Sequence, residues 1–124
     1  MNEKWFSDQR EHQRFRAPER AFAVMKNHAS RLGQIIDISM GGLATEYIAN
    51  GELADGLDQV DIFFPDSDFL MKGIPARTVA DFIVDPHNPF SFVPMRRRGI
   101  QFLGLGNDQA LLLKSLINWC AVHG

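Results

Sequence analysis

The stretch Asp37-Ile38-Ser39-Met40-Gly41-Gly42 sets a carboxylate, a hydroxyl and a glycine pair within six residues. A carboxylate accepts two parallel donors, and a hydroxyl donates or accepts. Positions two apart in a strand share a face, so Asp37 and Ser39 are expected to point out together. Ile36 and Ile38 are then expected to point to the core. Gly42 has no Cβ, so the chain is free to take positive φ there and a ligand can approach the backbone. A second set of residues suits an anion. Arg10 and Arg14 stand four apart, and so do Arg16 and Arg20. That spacing aims two guanidiniums from one helical face or one compact loop, and a phosphate between them offsets their repulsion. Each set also has a plainer explanation. The first is a polar strand face ending in a glycine turn. The second is a solvated basic face neutralised by Glu11 and Glu19.

Other reactive residue types form no constellation. The four histidines, His12, His28, His87 and His123, lack metal-ligand spacing, so no metal is expected. Cys120 falls on the apolar face of a helical pattern and reads as an inert core thiol. The serines lack a nucleophile-elbow context, and the glycines fit neither a Walker loop nor a dinucleotide fingerprint. No enzyme is expected. Arg96, Arg97 and Arg98 read as a solvated sheet edge that deters edge-to-edge pairing.

The elements that must position these residues follow from the run pattern. At 124 residues, with 45% hydrophobic and 23% charged content, the chain fits one soluble domain with a real core. No run approaches a membrane span and no signal-peptide core opens the sequence, so a cytoplasmic location is expected. Net charge is −2, yet nine of the thirteen basic residues are Arg. This balance favours a local anion site over a nucleic-acid surface. Residues 1–17 are polar, precede Pro18, and read as a flexible arm; residues 18–124 read as the folded unit. Strands are predicted over 21–26, 31–39, 43–48, 59–64, 69–84 and 97–103, with Pro75 breaking the fifth into two. Acid-rich and proline-rich loops fall after Asn50 and over 85–94. Asn107 or Asp108 is expected to cap a helix to about His123, with Leu112, Leu113, Leu116, Ile117 and Cys120 inward. Six or seven antiparallel strands avoid open edges by curling into a β-barrel, with the C-terminal α-helix covering one side or mouth.

Together, the two motifs carry more information than either alone. An Arg-x-x-x-Arg pair ahead of the first strand, followed about two strands later by Asp-x-Ser-x-x-Gly, resembles the PilZ family. Here the pieces are Arg10-Glu11-His12-Gln13-Arg14 and Asp37-Ile38-Ser39-Met40-Gly41-Gly42, with Gly99-Ile100-Gln101-Phe102 ahead of the final helix. The resemblance spans about residues 9–122. It implies an all-β, PilZ-like barrel that binds cyclic di-GMP and acts without catalysis on a separate effector protein. It assigns Arg10 and Arg14, with Arg16 assisting, to phosphate and guanine contacts. It assigns Asp37, Ser39, Gly41 and Gly42 to one guanine. The ligand's chemistry agrees: guanine N7 and O6 suit an Arg fork, and its N–H donors suit a carboxylate. The arm is expected to close over the ligand. Many members carry basic residues just before the first Arg, where this chain has Asp8 and Gln9. The Arg16/Arg20 register stays open, as do one or two ligands per site. A nucleotide-free adaptor and a nucleic-acid-binding barrel remain as alternatives.

Overall fold

A computed structural model of the chain describes residues 12–27, 29–48, 56–84 and 94–124. Arg10, most of the acid-rich loop and all but Pro94 of the proline-rich loop lie outside the described residues. The elements run β1 (Phe15–Arg16), β2 (Phe22–Lys26), β3 (Ser30–Ile38), β4 (Gly42–Ile48), β5 (Gln59–Phe64), β6 (Phe69–Val84), β7 (Met95–Phe102) and α1 (Asn107–His123). All pairings are antiparallel, in the order β1-β3-β2-β5-β6-β7-β4, and β4 pairs back onto β3. Six strands therefore close a barrel, and β1 is added beside β3. Closure removes the open edges that a sheet of this size would present. Among the described residues no helix is long and apolar enough to cross a membrane.

Alternating inward positions of the strands fill the barrel, including Met25, Ile35, Val60, Ile62, Ile74 and Ile100. The buried face of α1 is Leu113, Leu116, Ile117 and Cys120. Leu112, expected inward, is 46% exposed because it lies about 100° round the helix from Leu113. Gly106, rather than Asn107 or Asp108, occupies the helix cap, and the Gln109 side chain accepts its N–H at 3.0 Å. Trp119 meets Phe64 edge-on at a centroid distance of 5.8 Å, which anchors α1 to the barrel. Burial alone pushes the Cys120 thiol up to about 11, as an unreactive core thiol requires.

Two irregularities shape the barrel. β6 is one continuous strand, not two, but it changes neighbour at Pro75. Residues 69–75 pair with β5 and 76–84 pair with β7. Proline's missing N–H is tolerated where a strand passes from one partner to the next. Just before it, Gly73 (φ +71) forms a bulge and donates its N–H to Asp61 Oδ1 at 2.8 Å. Burial pushes the Asp61 carboxyl up, but bonds from Lys26 and the Gly73 N–H outweigh it and hold the group below its ordinary value.

The arginine cluster is not an edge. β7 is flanked by β4 and β6, and Arg98 is 2% exposed. Asp81 on β6 accepts from Arg96 Nε at 2.7 Å and from Arg98 Nη2 at 3.1 Å. Tyr47 Oη on β4 donates to the same carboxylate at 2.6 Å, with the Arg98 guanidinium 4.9 Å from the Tyr47 ring centroid. Arg97, facing the other way, pairs with Glu46. The cluster thus staples three neighbouring strands.

Candidate functional site

The β3–β4 hairpin places the acidic motif. Ile35 pairs with Thr45 and Asp37 with Ala44, so Ile36 is an extra residue, a β-bulge. The bulge shifts the side-chain alternation by one. Ile35 and Ile38, not Ile36 and Ile38, are the fully buried pair, and Asp37 is turned outward between them with its side chain 28% exposed. Ser39 does not share that outward face: it is only 6% exposed. Its hydroxyl accepts from the N–H of Gly41 at 3.1 Å and of Gly42 at 3.2 Å, and its oxygen lies 3.3 Å from the Gly42 carbonyl. The Ser39 backbone N–H donates to the Gly42 carbonyl at 2.8 Å. Ser39 is therefore the clasp of the turn.

The glycine pair follows a different rule from the one expected. Among the described glycines, positive φ occurs at Gly56 and Gly73, not at Gly41 or Gly42. Both glycines of the motif serve close approach instead. A Cβ on Gly42 would collide with the carbonyl of Ile100, so Gly42 lets β4 lie against β7. A Cβ on Gly41 would stand 2.7 Å from Cδ2 of His12.

Arg14 of the basic motif reaches the same corner. β1 pairs Phe15 with Ile38 and Arg16 with Asp37, and the Ala17 N–H donates to the Ile36 carbonyl at 3.0 Å. Residues 12–17 of the arm thus lie along the bulged end of β3. This pairing carries Arg14 Nε to 3.5 Å from Asp37 Oδ1. An ion pair this open contributes about 0–1 kcal/mol, so it does not lock the arm. Asp37 Oδ1 is shielded from solvent and accepts no hydrogen bond among the described residues. A carboxylate oxygen has two acceptor sites, so Asp37 Oδ1 has capacity for a further donor. Arg16 is exposed with its Cα opposite Asp37, whereas Arg20 pairs with Asp66 at 3.3 Å. The structure thus gathers Arg14, Asp37, Ser39, Gly41 and the backbone of Arg16, and engages Arg20 with a different carboxylate. His12, a described residue at this corner, reads from the sequence only as a histidine without metal-ligand spacing. Its place inside the Arg10–Arg14 spacing was the available signal.

Comparisons place the architecture among known proteins. No family model matches the sequence, and no curated protein matches it. Solved structures match in shape. The PilZ domain of YcgR from Escherichia coli, determined with cyclic di-GMP, is 15% identical with a TM-score of 0.72, over 90% of this chain and 91% of that one. The longer E. coli YcgR in complex with cyclic di-GMP is 17% identical with a TM-score of 0.66, over 90% of this chain and 45% of that one. The MrkH–cyclic di-GMP complex of K. pneumonia is 15% identical with a TM-score of 0.67, over 86% and 50% respectively. The chain spans nearly all of the isolated YcgR domain and about half of the two longer chains. Its six-stranded barrel, added strand and C-terminal helix have the fold of a PilZ domain.

Proposed function

We propose that this chain is a non-enzymatic cyclic di-GMP receptor, with Arg14 and Asp37 at the centre of its site. The observation that carries the reading is the meeting of Arg14 and Asp37 at one corner, where the shielded Asp37 Oδ1 has the Arg14 guanidinium at ion-pair distance and no hydrogen bond among the described residues. The site residues fit this ligand. Guanine N1–H and N2–H₂ are donors, and the Asp37 carboxylate is an acceptor held in place by the bulge. Arg14, released from its loose ion pair, turns to a phosphate, where a charge-assisted hydrogen bond is stronger. Arg10 and Arg16 supply further positive charge, and the engagement of Arg20 with Asp66 supports the Arg10/Arg14 register. Ser39 and Gly42 act through the turn they hold, and Gly41 offers the base a surface without a side chain. The likeness to domains solved with cyclic di-GMP supports the same ligand. On binding, the arm ahead of β1 closes over the ligand, and a separate effector protein in the cytoplasm reads the changed surface.

The test is thermal unfolding of the protein with cyclic di-GMP, GMP or a single-stranded oligonucleotide at low and high salt. A ligand at a hundred times its Kd stabilises the folded state by about 2.7 kcal/mol, a shift of several degrees. The expected result is a rise with cyclic di-GMP alone. A rise with none of them leaves a protein-interaction adaptor. A salt-sensitive rise with the oligonucleotide identifies a nucleic-acid barrel.

A further inference from the structure

The three atoms nearest to a Cβ built on Gly41 all belong to one ring: His12 Cδ2 at 2.7 Å, Cγ at 3.4 Å and Nε2 at 3.5 Å. The imidazole therefore covers the side of Gly41 from which a side chain is missing. The backbone polar groups of that residue are already used. Its N–H donates to Ser39 Oγ at 3.1 Å, and its carbonyl accepts from the Phe102 N–H at 2.9 Å. What Gly41 presents outward is thus a small apolar surface with no hydrogen bond to give. Such a surface receives a flat ring by van der Waals contact. An imidazole and a nucleobase are both flat rings, and the surface holds one of them at a time.

We propose that His12 is an affinity-setting plug: in the ligand-free protein its ring occupies the Gly41 surface that the guanine takes. The proposal rests on the nucleotide-binding reading above and adds how the free site is kept closed. His12 is two residues from Arg14 and three from β1, which fastens the arm to Asp37 and Ile38. The ring is therefore presented to Gly41 at a high effective concentration. A ligand meets a site only part of whose population is open, and its apparent Kd rises by the reciprocal of that fraction. The plug and the ligand also compete for the arm, since Arg14 faces Asp37 while His12 covers Gly41.

His12 is exposed, so its replacement does not threaten the fold. The experiment is calorimetric titration of cyclic di-GMP into the wild type, His12→Ala and His12→Phe. Alongside it, NMR follows the contact between the His12 ring proton on Cδ2 and the Gly41 α protons. His12→Ala is expected to bind about three- to tenfold more tightly than the wild type. His12→Phe keeps a flat ring on the glycine and binds no more tightly than the wild type. The His12–Gly41 contact is expected in the free protein and is lost at saturation. Equal or weaker binding by His12→Ala overturns the plug, as does a contact that persists in the saturated complex. Binding by His12→Ala alone, with a silent wild type, supports it in its strongest form. If neither protein binds while the free-state contact is seen, the nucleotide reading fails and the plug fails with it.

Discussion

Gly41 and Gly42 are neighbours with separate physical reasons, and substitution separates them. A Cβ on Gly42 meets the backbone of Ile100 in the adjacent strand, which cannot step aside without breaking the β4–β7 ladder. Gly42→Ala is therefore expected to destabilise the fold by about 3 kcal/mol, at the upper end of overpacking costs, read as a lower urea midpoint at unchanged slope. A Cβ on Gly41 meets only a side chain that can swing away, so Gly41→Ala should leave the urea midpoint close to wild type. An equal loss in both variants would show that the turn, not its neighbours, sets the requirement. Much of this corner was legible in the sequence as a list of residues. Asp37 and the glycine pair announce a turn. The facing of Ser39 and Ile36 was not legible, because one inserted residue reverses the alternation and no local residue type marks the insertion.

At the scale of elements, β7 carries the larger surprise. Three successive arginines look like solvent-facing charge, yet Arg98 is held inside by Asp81 and Tyr47 from the flanking strands. The partner carboxylate lies 17 residues away in sequence, so nothing local pointed to the pair. Burial pushes the Asp81 carboxyl up, but hydrogen bonds from Tyr47, Arg96 and Arg98 outweigh it and hold the group below its ordinary 3.8. A carboxyl depressed in the folded state stabilises the protein above its unfolded value and loses that contribution as pH falls through the folded one. Stability should thus be full above about pH 5 and fall steadily below about pH 4. Asp81→Asn leaves Arg98 buried without its counter-charge and should cost about 3–5 kcal/mol at neutral pH. The same variant should show a shallower acid decline, with a residual slope from Asp61, whose carboxyl is also depressed. Urea midpoints of both proteins at pH 7, 4 and 3 check this; parallel acid limbs would remove Asp81 from the account.

At the scale of the molecule, the strand added beside the closed barrel brings Arg14 of the basic motif to Asp37 of the acidic one. β3 is shared: β2 takes its first half, and β4 and β1 flank its last residues. Residues 15–17 are therefore fastened beside the hairpin that carries Asp37, and α1 also contacts β1. Strands, hairpin turns and the final helix could be read from runs and punctuation, since those signals are local. β1, the unbroken β6 and the inward Arg98 could not, because each is imposed by strands distant in sequence. The central claim is that Arg14 and Asp37 form one site for a cyclic dinucleotide, and the most direct measurement is calorimetric titration of cyclic di-GMP, with GMP as control, into the wild type, Arg14→Ala and Asp37→Ala. The account predicts saturable binding by the wild type, weakened tenfold or more in each variant, about 1.4 kcal/mol or more apiece. Absence of heat with the wild type, or undiminished binding by both variants, would contradict it.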